Sequence, residues 1–109
     1  MEKSIFETAQ IFRFTEKVEY SEEGIVSKRV LDKQTGNVTL FAFDKDQRLS
    51  THSAPFDALV QVIDGLARIN IAENHYDLQA GDTIIMPAGI PHAVYATEKF
   101  KMVLTMIKS

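Results

Sequence analysis

The chain contains no cysteine and few residues that break regular structure: three prolines and five glycines among 109 residues. Without cysteine there are no disulfides, thiolate metal sites or cysteine nucleophiles, and a reducing cytoplasm is the expected compartment. An excess of positive charge is also missing, since 12 Lys and Arg stand against 15 Asp and Glu for a formal charge of -3. No overall field therefore gathers nucleic acid or an anionic membrane, and small molecules or proteins are the expected partners. The longest apolar-rich stretches, Ala58 to Ile63 and Met102 to Ile107, fall far short of the ~20 residues that cross a bilayer. The first residues carry an acidic side chain at once and sustain no apolar run, so no export signal is expected. Phosphate-cradling glycine loops, dinucleotide fingerprints, Gly-x-Ser-x-Gly elbows and His-Glu-x-x-His helices do not occur.

What is present is a succession of short segments rich in Val, Ile, Phe, Tyr and Thr, separated by turn residues, which is the pattern of a β-sandwich or barrel. The length suits one domain, 1–109, with one modest core. Strands are predicted at Ile11–Phe14, Val18–Tyr20, Gly24–Leu31, Asn37–Phe43, Arg48–Ser53 and Ala58–Ile63. Further strands are predicted at Leu66–Ala72, His75–Leu78, Thr83–Met86, Ala93–Ala96 and Phe100–Ile107. Asp64-Gly65 and Glu73-Asn74 read as tight turns of an antiparallel meander. Residues 1–20 read as an N-terminal arm or as edge strands.

The segment from Gly81 to His92 has a glycine, five residues, Pro87-x-Gly89, two residues and a histidine. It resembles the second motif of the cupins. A turn at Gly81-Asp82, a strand to Met86 and a proline-rich hairpin would deliver His92 to the start of a returning strand. The asparagine that usually follows four residues later is replaced by Ala96. Upstream, His52 and Gly65 are similar to part of the first motif, whose second histidine and glutamate correspond here to Ala54 and Ala58. Together the motifs span about residues 48–96. The resemblance implies an all-β, double-stranded β-helix (jelly-roll) barrel with a ligand pocket built around His52 and His92.

In metal-dependent cupins, according to the same resemblance, histidines from two strands meet around one ion; here His52 and His92 are the metal candidates, with Zn, Ni, Mn or Fe as the expected divalent ion. Two imidazoles alone leave most of its positions to water. Gln61 and Asp57 are the candidate third ligands. The resemblance implies that position 58 points inward, and alternation then turns 60 and 62 inward and Gln61 outward, so Gln61 would need a bulge to reach the pocket, and Asp57 a bulge at the strand start. Phe43, Val60, Met86 and Leu104 are the candidate apolar wall. Most of the remaining aromatic and methionine residues on these strands, a set that includes Met102 and Met106, read as core, with some of the set left as further pocket lining. Arg48 is a candidate anion contact near the mouth, and His75 reads as a solvent-facing strand residue.

Three functions fit these features. One is a small metal-assisted enzyme of the dioxygenase, isomerase or decarboxylase class, in which the ion polarises a substrate oxygen. The second is a non-catalytic binding or sensing module whose histidines hydrogen-bond a small organic ligand. The third is a structural role as a dimer or partner scaffold. A homodimer is expected, with an unpaired N-terminal edge strand as the natural place for pairing.

Overall fold

The computed structural model describes residues 5–108 and contains seven antiparallel strands. They are β1 (Ile25–Lys33), β2 (Gly36–Phe43), β3 (Arg48–His52), β4 (Asp57–Ile71), β5 (Asn74–Gln79), β6 (Thr83–Met86) and β7 (His92–Ile107). The strand order is β1-β2-β7-β4-β5, with β3 added to β7 and β6 added to β4. The two long strands belong to both walls of the barrel. The first half of β4 pairs with β6 and with the second half of β7, which also carries β2. The second half of β4 pairs with β5 and with the first half of β7, which carries β3.

A strand can pass from one wall to the other only if its backbone bends. β4 does so at two register shifts, Val62/Asp64 and Gly65/Ala67. Gly65 has φ +81°, and a Cβ there would lie 1.9 Å from the Lys99 carbonyl oxygen of β7, so only glycine lets the two backbones come this close. The bulge also reverses the inward parity. Ala58, Val60 and Val62 are buried before it and Ala67 and Ile69 after it. Asp64-Gly65 is therefore a bulge inside one strand, and the strands expected on either side of it are one. The strands expected at Ala93–Ala96 and Phe100–Ile107 are likewise a single strand, because β4 and β2 between them hold β7 along most of its length. The turn between β4 and β5 is at Ala72 and Glu73, one residue earlier than expected.

The barrel interior contains Phe43, Val60, Ile69, Phe100 and Met102, each almost wholly buried, with Phe43 stacked on Phe100 at 4.6 Å between ring centres. A second cluster lies outside the barrel, because β2 is apolar on both faces: Leu40 and Ala42 point away from the interior yet are fully buried. The N-terminal arm covers them with Val18, Phe14 and Phe6. Burial of Val18 alone is worth about 1.5–3 kcal/mol.

The strands expected at Ile11–Phe14 and Val18–Tyr20 do not form. A 3-10 turn at Phe14–Glu16 interrupts the arm, and side chains of the sheet take the place of a ladder. Lys28 Nζ donates to the Lys17 carbonyl at 2.9 Å, Lys101 Nζ to the Thr15 carbonyl at 2.8 Å, and the Tyr20 hydroxyl to Asp64 Oδ2 at 2.5 Å. Residues 5–20 thus form no edge strand in this chain; they cover its sheet.

Gly65→Ala is expected to cost about 3–5 kcal/mol or to prevent folding, since it combines left-handed strain with backbone overlap. Gly81 also has positive φ, but nothing lies within 4 Å of its missing Cβ, so Gly81→Ala should cost only about 1–2 kcal/mol. Urea unfolding of both variants checks the ranking, and equal losses would contradict the crossing described here.

Candidate functional site

His92 is delivered by the hairpin Pro87-Ala88-Gly89-Ile90-Pro91, whose backbone is tied down on three sides. Ala88 N–H donates to Asp57 Oδ1 at 2.8 Å, Gly89 N–H to the Ala54 carbonyl at 2.7 Å, and the Pro91 carbonyl accepts from Ala72 N–H at 2.9 Å. The loop after His52 and the hairpin before His92 are thereby fastened to each other. On the paired strands β3 and β7 the two histidines are direct partners.

The imidazoles meet edge to face, with ring centres 4.4 Å apart at 69°. His92 is buried and His52 exposed. Nδ1 of His52 lies 2.8 Å from the Ser50 carbonyl and Nδ1 of His92 lies 3.2 Å from the Ile90 carbonyl. A carbonyl only accepts, so in both neutral rings Nδ1 carries the proton and Nε2 keeps a free lone pair. Burial pushes the His92 pKa down, helped by the like charge of His52 and opposed by the Ile90 carbonyl.

Both rings border a cavity of about 40 Å³. Met86, Met102, Leu104 and Met106 form much of its wall, and Ala54 and Ala58 occupy the two remaining first-motif positions beside it. One water occupies about 30 Å³ of liquid and organic ligands fill pockets of about 300–1,000 Å³, so this space suits an ion or one small group.

Four of the six candidate residues that matter most here are brought together: His52, His92, Met86 and Leu104. Phe43 and Val60 do not border the cavity; both lie deeper in the core with no exposed surface. Gln61 faces outward and exposed between Thr83 and Val103. Asp57 is exposed as well, and its carboxylate holds the hairpin that carries His92. Arg48 lies on the outer surface with its guanidinium 5.7 Å from the Tyr95 ring centre, and His75 bonds Asn70 Oδ1 on that same surface. Met102 and Met106 also border the cavity, although they were not among the four residues singled out for its wall. Their signal was available, because they share the parity of Leu104 on one strand.

The donor set does not fit Zn, Ni, Mn or Fe(II). Among the described residues, two imidazoles, which bind metal as neutral ligands, are the only side-chain nitrogen donors bordering the cavity, and no three of His, Cys, Asp and Glu gather in one place. A divalent ion there would have its double charge met by no carboxylate.

The His92 ring signals are expected to titrate below the ordinary value of 6.5 in an NMR pH series. Because the folded pKa is the lower one, the unfolded chain takes up its proton first as pH falls, and stability is lost from 6.5 downward. His92→Gln should therefore lose less of its thermal stability than the wild type between neutral pH and about pH 5. An equal loss in both proteins would contradict this assignment.

Comparison with known proteins agrees with the geometry. The Cupin domain family matches residues 39–108. The crystal structure of a conserved protein of unknown function, SPY1581, from Streptococcus pyogenes is similar over 100% of this chain and 96% of that one, with 38% identity and a TM-score of 0.91. A Cupin 2 conserved barrel domain protein from Leptotrichia buccalis is 41% identical over 89% of this chain and 47% of its own, with a TM-score of 0.86. A cupin superfamily protein from Desulfitobacterium hafniense, 20% identical over 100% of both chains with a TM-score of 0.90, shares the fold. No curated protein matches in sequence. The chain belongs to the cupin family.

Proposed function

We propose that this protein is a non-catalytic binding cupin that takes up a small guest at the His52/His92 cavity. The observation that carries this reading is the fate of the carboxylates. The position of the family glutamate is Ala58, and the adjacent Asp57 turns outward to bind the Ala88 N–H. Among the described residues, no acid borders the cavity to move a proton or to neutralise a divalent ion. What the cavity offers is recognition: two ring nitrogens with free lone pairs in an apolar surround, able to accept hydrogen bonds or to bind a cation.

A metal-assisted enzyme is the second reading, and one observation favours it. Histidines that bind metal commonly have the other ring nitrogen anchored by a carbonyl or carboxylate, as both Nδ1 atoms are here.

The two readings separate by elemental analysis. Protein exposed to Zn, Ni, Mn and Fe(II) and then desalted should retain far less than one equivalent of any of them. An NMR screen of guests of one to three heavy atoms should in turn move the Met86 and Met106 methyl signals in the wild type and not in His92→Ala. Stoichiometric divalent metal that disappears in His92→Ala would overturn the non-catalytic reading in favour of the metal-assisted one.

A further inference from the structure

The outer face of the wall formed by β3, β7, β4 and β5 has a groove of about 460 Å³, against about 40 Å³ for the cavity inside the barrel. That volume is within the range of about 300–1,000 Å³ that small-molecule sites occupy. Strand pairing decides what surrounds it, because residues directly opposite each other on an antiparallel ladder share a face. Tyr95 of β7 is the partner of Arg48 on β3 and of Arg68 on β4. Two arginines therefore flank one aromatic residue, with their Cα atoms about 10 Å apart across two inter-strand spacings. In the next row of the same face, Ala93 pairs with Asn70, and Asn70 with His75. The Ala93 methyl among longer side chains leaves the depression.

The polar side chains around the groove are held by partners and keep donors unused. The Tyr95 hydroxyl donates to Asp46 Oδ1 at 2.5 Å, which fixes the ring. Arg48 holds its guanidinium 5.7 Å from the centre of that ring and makes no ion pair among the described residues. Arg68 donates from Nε and Nη2 to Asp77 at 2.8 and 3.2 Å, which uses only part of its set of N–H groups. His75 Nδ1 donates to Asn70 Oδ1, and the Asn70 amide NH2 remains as a donor. Among the described residues no Asp or Glu borders the groove, although the whole chain has a formal charge of -3. Asp46 and Asp77 each engage a groove residue without bordering the groove themselves. Such a set of donors recognises anionic oxygen, since a guanidinium binds a carboxylate or phosphate through two parallel N–H bonds. Side chains already fixed by their neighbours lose little further freedom when a ligand arrives.

We propose that this groove is a second binding site, for a small organic anion carrying a phosphate or carboxylate group. The anionic group is held between Arg48 and Arg68, and the body of the ligand lies on Ala93 beside the Tyr95 ring. Arg48 was expected to meet an anion at the barrel mouth; the fold carries it to the outer face, where it is joined by a second arginine. None of Arg48, Arg68, Asn70, His75, Ala93 and Tyr95 borders the His52/His92 cavity, so the two sites stand or fall separately.

The test is an NMR titration of the full chain with phenyl phosphate and with benzoate, and with benzylamine as a cation of similar size. At least one anion should shift the Asn70 side-chain amide, the Ala93 methyl and the Tyr95 ring signals with a Kd of about 1 mM or tighter, and benzylamine should not. The Met86 and Met106 methyl signals, which report on the barrel cavity, should stay in place. Tighter binding of phenyl phosphate assigns the ligand to phosphate esters, and tighter binding of benzoate assigns it to carboxylates. Arg48→Gln and Arg68→Gln should each weaken binding at least about tenfold with little change in melting temperature, because both side chains are exposed. Arg29→Gln removes the same charge from β1, where Arg29 pairs with Asp32, and should leave binding unchanged. No shift from either anion at about 10 mM, an equal response to benzylamine, or an equal loss in Arg29→Gln would each overturn the proposal. Shifts confined to Met86 and Met106 would overturn it as well, since they would place the anion inside the barrel.

Discussion

The close passage of the Gly65 backbone beneath the Lys99 carbonyl is the constraint on which the rest of the molecule depends. A sheet whose two long strands serve both walls must let them bend together, and a bend at this distance has room for no side chain. The corner is further tied by mutual hydrogen bonds between the Val62 backbone and the loop before β6: Val62 N–H to the Asp82 carbonyl and Gly81 N–H to the Val62 carbonyl. Once the corner is set, the parity of β4 is set on both sides of it. Ala58 faces inward beneath Met86 and Met106, and the neighbouring Asp57 and Gln61 face outward.

That parity shapes the chemistry of the site. A carboxylate one residue earlier or later on β4 would point away from the cavity, and Asp57 does so, serving as the anchor of the hairpin that presents His92. The histidines are held by backbone carbonyls two residues before each of them, a local arrangement that fixes the tautomer without another side chain. The cavity is consequently organised, neutral and small. These properties favour recognition of a compact, weakly hydrated guest over the acid–base work that needs an inward carboxylate.

Much of this was legible in the sequence where local chemistry decides it. The run from Gly81 to His92 has glycine and proline at positions that admit one chain path, so the hairpin and the delivery of His92 could be read directly. His52 could be placed opposite it only through the resemblance of His52 and Gly65 to part of the first cupin motif. The inward face of β4 followed from alternation, which turned Gln61 outward before any coordinates. What could not be read is set by distant partners. Asp64-Gly65 has turn composition, and only its proximity to Lys99 makes it a bulge within a continuous strand. The arm from Ile11 to Tyr20 has strand composition, yet β2 needed a cover for Leu40 and Ala42 more than the sheet needed another edge. Phe43 and Val60 share the inward face with the cavity wall but lie deeper in the core, and depth along a barrel axis is not encoded in a period of two.

The most direct test of the central claim is the tautomer of the two imidazoles, read from long-range proton–nitrogen NMR correlations of the guest-free protein at about pH 8. The account predicts that in both His52 and His92 the ring proton sits on Nδ1, facing its backbone carbonyl, and that Nε2 is bare. A proton on Nε2 of either ring would occupy the lone pair that the proposed binding role needs and contradict it.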